Sequence, residues 1–201
     1  MKPDIVRTAL EHLAEDARLK VLIEKYPKPK FEKDRDPFEA LCRAIVGQQL
    51  SVKAATTIYK RFITLYGNQL TPRKVAKTSI EKFRSVGVSN QKTGYLLDLS
   101  KKFLDGTVAP KRFSTMSDEE IRGHLVAVKG IGTWTADMFL MFTLHRPDVL
   151  PTGDLGTQKA MQKLFKLKTL PTPEKMQKLA EPWRPYRTLA CRYLWDFLDN
   201  R

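Results

Sequence analysis

Cysteine is nearly absent. Only Cys42 and Cys191 occur in 201 residues. They lie far apart and sit among apolar and aromatic neighbours, so they make neither a metal-ligand pattern nor a disulfide framework. Buried thiols in a reducing compartment are the expectation. Histidine is also scarce, with three scattered residues, so no zinc site and no other metal site is expected. No apolar run reaches the roughly 18 residues that a membrane span needs. The N-terminal stretch MKPDIVRTALEHLAEDARL carries acids and lacks the apolar core of a signal peptide. Strand-like alternation and low-complexity tracts are missing too. What is left is a soluble, intracellular, helical protein with no membrane association.

Positive charge is what the chain has in excess. Lys and Arg number 36 against 22 Asp and Glu, a net +14. Such an imbalance points to a polyanionic partner, most commonly nucleic acid. Apolar residues make up 42%, a globular composition with enough length for one sizeable core or two closely packed lobes.

The apolar spacing predicts about ten helices joined by short connections, an all-α fold. A first helix is expected over Asp4–Lys25, followed by a polar, proline-bearing loop from Tyr26 to Pro37. FEALCRAIVGQQLS is a strongly apolar helix interrupted at Gly47, and VKAATTIYKRFITLYG continues to Gly67. Further helices should end at Gly87 and Gly106. Thr71-Pro72, Thr172-Pro173 and Pro185 mark helix starts. Ser117 to Glu120 is a capping box that opens a helix over Glu119–Val128. An almost wholly apolar helix, Trp134–Leu144, comes next, and Thr157–Phe165 is short and basic.

Between two of these helices lies Lys129-Gly130-Ile131-Gly132. Glycine permits positive φ and close approach of another backbone, and the Ile131 side chain can plug the gap between the helices. The helix that follows starts with outward-pointing N–H groups, and with its dipole these form a ready phosphate site. The turn would therefore grip a nucleic-acid backbone without reading sequence. Past the apolar helix, LPTGDLG carries an isolated carboxylate, Asp154. By itself that residue reads equally well as the cap of a helix starting at Leu155.

HLVAVKGIGTWTADMFL together with LPTGDLG resembles the signature of the helix-hairpin-helix (HhH-GPD) DNA glycosylases. AIVGQQLSVKAA and PWRPYRTLACRYLW are similar to the AlkA-like 3-methyladenine branch, and the resemblance runs from about Pro37 to Trp195. It implies a single two-lobed all-α domain over residues 1–201 with a central cleft. The N- and C-terminal segments would share one lobe, residues of about 37–130 would form the other, and the helix-hairpin-helix would span 119–144. Longer AlkA proteins have an extra β-rich N-terminal region that 201 residues are too few to include, so a compact version of the fold is expected.

The resemblance also implies roles for particular residues. Asp154 is placed as the catalytic carboxylate, stabilising the oxocarbenium-like sugar and orienting or deprotonating water. In the strand-cleaving members a lysine stands at the Trp134 position and forms a Schiff base, so Trp134 places this chain in the monofunctional branch. Some relatives hold an iron–sulfur cluster on four cysteines, which this chain cannot supply. Trp134 and Trp195 match pocket tryptophans, whose faces attract a cationic base by roughly 0.5–2 kcal/mol each. Met138 stands where AlkA has a tyrosine, and Phe38 is a further candidate wall. Flipping a base leaves a hole that a wedge must fill. Gln49 aligns with the wedge and Leu50 is the more obvious plug. Backbone contacts are expected from Lys129, Gly130, Ile131, Gly132 and Thr133. SVGVSNQKTG looks like a second gripping turn, with Lys92 as its partner. In the family the hairpin carbonyls often hold a monovalent cation, and no other cofactor is implied.

The leading expectation is a monomeric, monofunctional DNA glycosylase acting on double-stranded DNA with damaged bases. It would remove alkylated purines of the 3-methyladenine and 7-methylguanine type in base excision repair. It would work in the cytoplasm or nucleoid of a bacterium, or in a eukaryotic nucleus. A non-catalytic relative that binds abasic or distorted DNA is the alternative, and a helical RNA-binding or assembly protein is a third reading.

Overall fold

A computed structural model describes residues 3–30, 36–67 and 69–199. Part of the loop expected over Tyr26–Pro37 lies outside the described residues. Among the described residues every regular element is helical and there is no strand. The helices are α1 (Pro3–Leu13), α2 (Ala17–Lys25), α3 (Pro37–Gly47), α4 (Val52–Thr64), α5 (Pro72–Ala76), α6 (Ile80–Ser85), α7 (Asn90–Leu104), α8 (Asp118–Val126), α9 (Thr133–Phe142), α10 (Leu155–Leu164), α11 (Pro173–Leu179) and α12 (Arg187–Asp199). Short 3-10 turns fill Pro110–Thr115 and Glu181–Trp183.

The helix starts follow local chemistry. Thr71 and Thr172 each accept from a backbone N–H three residues on, with proline at the first helical position. Both bonds of the Ser117–Glu120 capping box are made, at 3.2 and 2.7 Å. The single helix expected over Asp4–Lys25 is two helices instead. Asp16 breaks it by taking extended backbone and accepting from the Arg18 N–H, and the indole of Trp183 donates to the same carboxylate at 3.1 Å. The last helix begins at Arg187 and not at Pro185.

The chain divides into two compact units, Met1–Lys33 with Leu140–Arg201, and Asp34–Phe139. The first has a core of Leu10, Leu13, Leu19, Leu22, Met161, Met176, Trp183, Tyr193 and Leu194, built where α12 packs on α2 and α10. Each such side chain contributes about 1.5–3 kcal/mol through burial. The segment before Leu150 is fixed by polar contacts. Arg187 donates to Asp148 Oδ1 at 2.6 Å and to Oδ2 at 2.9 Å, and Arg184 donates to Oδ2 at 2.8 Å. The second unit centres on α7, which packs against α3, α5 and α6. Both cysteines are buried thiols.

Candidate active site

Asp154 is the N-cap of α10. Its Oδ2 accepts from the Thr157 N–H at 2.7 Å, from Thr157 Oγ1 at 2.9 Å and from Trp195 Nε1 at 2.9 Å. The capping reading of Asp154 is therefore correct as structure. Three donors meeting on one oxygen also fix the plane of the carboxylate, as a group needs when it must face charge at a defined point.

Gly156 makes this arrangement possible. A Cβ there would lie 3.1 Å from Asp154 Oδ2 and 3.2 to 3.3 Å from Cδ1 and Nε1 of Trp195. Any larger residue would press on both partners of the indole–carboxylate bond. The motif LPTGDLG contains this glycine, but nothing in the motif shows what stands opposite it. Phe142 was also missed. Its ring stacks on Trp195 with centroids 5.8 Å apart and planes 22° apart, and the guanidinium of Arg192 sits 5.6 Å above it. Trp195 thus holds the carboxylate through its indole N–H, a contact its sequence position did not announce.

In the other unit, the turn between α8 and α9 follows the expected pattern with a different division of labour. Gly130 alone of the two glycines has positive φ, at +80°. A Cβ on it would collide with the Tyr95 ring. What presses against Gly130 is therefore an aromatic side chain of α7. At Gly132 nothing lies within 4 Å of such a Cβ, so this is the position open to an approaching backbone. Ile131 is 4% exposed and plugs the hairpin. The first N–H groups of α9, from Thr133 onward, have no intrahelical acceptor.

The turn is tied down from three sides. Lys129 N–H donates to Asp98 Oδ2 at 2.8 Å, and Gln48 Nε2 donates to the Gly130 carbonyl at 2.7 Å. Arg122 of α8 pairs with Asp137 of α9 at 2.9 Å. Burial raises the Asp137 carboxyl above the usual aspartate value, while Arg122 works against that shift.

Trp134 is 49% exposed on the first turn of α9, and Met138, one turn later, is half-buried. Phe38 is different. At 2% exposure and edge-on to Phe103 at 5.0 Å, it packs the interior of its unit and offers no wall.

Between α3 and α4, Gly47 is still helical. The residue that takes left-handed backbone is Gln49, with φ +56°. Gln49 and Leu50 are both exposed at the tip of this turn. Lys92 differs from expectation. Its ammonium donates to the carbonyls of Val46 and Gln48, each at 2.8 Å. It therefore serves the α3 terminus, and partial burial lowers its pKa from the ordinary lysine value. Arg84 and the Gly87–Asn90 turn line an open depression at the start of α7.

Comparison with known proteins places this geometry. Residues 42–185 match the model of the HhH-GPD superfamily base excision DNA repair proteins. The chain is 34% identical to DNA-3-methyladenine glycosylase 1 of Schizosaccharomyces pombe over 181 residues, covering 89% of this chain and 79% of that one. Among solved structures, the 3-methyladenine DNA glycosylase Mag1 of the same yeast, in complex with abasic DNA, superposes with a TM-score of 0.82 at 33% identity. That match covers 94% of this chain and 95% of Mag1. A DNA-3-methyladenine glycosidase from Bacillus halodurans gives 0.84 at 35% identity, covering 93% and 87%.

Proposed function

The chain belongs to the HhH-GPD superfamily of base excision DNA repair proteins, and we propose that it is a monofunctional DNA glycosylase that releases alkylated purines by hydrolysis. The carrying observation is the Asp154 carboxylate, immobilised by Thr157 and Trp195 through Oδ2. As the glycosidic bond stretches, positive charge builds on the sugar, and a fixed carboxylate lowers the energy of that charge. The bond's electron pair leaves with the base. An alkylated purine is already cationic and departs neutral, so no strong general acid is required. Water adds to the sugar, with its proton passing to Asp154 or to solvent.

Trp134 replaces the amine that a Schiff-base route needs, so the strand should stay intact. Its exposed ring offers a π-face to a flipped cationic base. The hairpin N–H groups of Gly130, Gly132 and Thr133, with Lys129, would hold phosphate, and Gln49 or Leu50 would fill the hole left by flipping. The protein would act as a monomer, because one chain supplies all these groups.

The test is base release from methylated duplex DNA under single-turnover conditions, for wild type and Asp154→Asn. Wild type should release 3-methyladenine or 7-methylguanine and leave an uncut abasic strand, and the Asn variant should bind DNA without release. Excision by Asp154→Asn at the wild-type rate sinks the mechanism. Wild-type protein that binds abasic duplex but releases no base would make the chain a non-catalytic recogniser.

A further inference from the structure

Lys92, Tyr95 and Asp98 are three residues apart in turn, so they lie on one face of α7. Each meets a different part of the DNA-facing machinery. Lys92 Nζ holds the carbonyls of Val46 and Gln48 at the end of α3. Tyr95 fills the space beside Gly130. Asp98 accepts from the Lys129 N–H. Gln48 closes the circuit, with its carbonyl held by Lys92 and its side-chain amide on the Gly130 carbonyl.

We infer that Lys92 is a positioning residue that locks the Gln49–Leu50 tip to the hairpin, so that the backbone grip and the insertion into the duplex move as one body. The final carbonyls of α3 carry partial negative charge and lack intrahelical donors. The ammonium satisfies two of them where the chain must turn into the left-handed Gln49. Without it, those carbonyls must find other donors and the tip loses its anchor. Lys92 thus acts through the backbone of residues 46–48. This deepens the glycosylase reading and rests on it for the insertion step.

The alternative is that Lys92 simply neutralises a phosphate, and salt dependence separates the two. A lost phosphate contact weakens binding to every duplex and reduces the salt slope by about one. A lost anchor leaves undamaged-duplex affinity and its slope unchanged. It should instead erase about tenfold of the preference for abasic-analogue over undamaged duplex, and slow single-turnover release by about the same factor.

The experiment compares wild type, Lys92→Met, Lys92→Arg and Gln48→Ala. It measures salt-dependent binding to both duplexes, base release, and hydrogen exchange of residues 46–50. Expected are loss of preference and slower release for Lys92→Met, faster exchange in that segment, and recovery in Lys92→Arg, which can still donate to both carbonyls. If Lys92→Met does not fold, Gln48→Ala must show the same split. A reduced salt slope for undamaged DNA, or unchanged preference and exchange, overturns the inference. If wild type releases no base, the glycosylase reading fails, whereas binding preference and exchange still decide the role of Lys92.

Discussion

Trp195 Nε1 lies 2.9 Å from Asp154 Oδ2. The bond joins the N-cap of α10 to the middle of α12, so two helices of one unit set the direction of a single carboxylate.

Trp195→Phe removes the donor and leaves a ring to stack on Phe142. Base release should slow by at least about tenfold, since a hydrogen bond to a charged group is worth roughly 1.5–3 kcal/mol. Thermal stability should change little. Release at the wild-type rate would show that the Trp195 indole does not orient Asp154.

Gly156→Ala places a methyl group against both partners of the same bond. The neighbours must give by a few tenths of an ångström. Single-turnover release should fall several-fold while duplex affinity persists, because the substitution touches the carboxylate and not the hairpin. A variant that binds poorly and releases base normally would contradict this.

Gly130→Ala and Gly132→Ala should separate stability from binding. At Gly130 a Cβ meets both positive φ and the Tyr95 ring, and the strain should cost about 1–3 kcal/mol or more. A lower Tm is the readout. At Gly132 there is open space, so Tm should hold while affinity for duplex DNA drops. Equal Tm losses in both variants would count against an open DNA-facing side at Gly132.

The Arg122–Asp137 pair predicts a pH dependence. Burial raises the folded-state value of Asp137 above 3.8, with Arg122 opposing it. A carboxyl raised on folding binds more protons in the folded state. Its contribution is therefore fully present below 3.8 and is lost as pH rises through the folded value. Denaturant unfolding of wild type and Asp137→Asn across acidic pH tests this. The stability difference should move in favour of Asn as pH rises, and the opposite slope would mean that the ion pair outweighs burial.

Much of this was legible from local patterns. The capping box, the helix starts at Thr71-Pro72 and Thr172-Pro173 and the glycine turn depend on residues close together in the chain, and the structure has them where expected. Tertiary relationships were not legible. Nothing near Gln48 announces that its amide reaches Gly130, and nothing near Lys92 separates a solvent-facing lysine from one that holds two carbonyls. Gly47 is the last residue of α3, as its type suggests, but the left-handed backbone falls two residues later at Gln49, next to carbonyls held from α7. Asp16 shows the reverse case, where a capping residue splits a helix that apolar spacing alone would continue.

The left-handed backbone at Gln49 also constrains any redesign of the turn between α3 and α4. At φ +56°, only glycine, asparagine or aspartate would sit there as easily, and branched side chains would strain the turn. Leu50 carries no such restriction. A library built on this tip should therefore vary position 50 freely and keep position 49 nearly fixed.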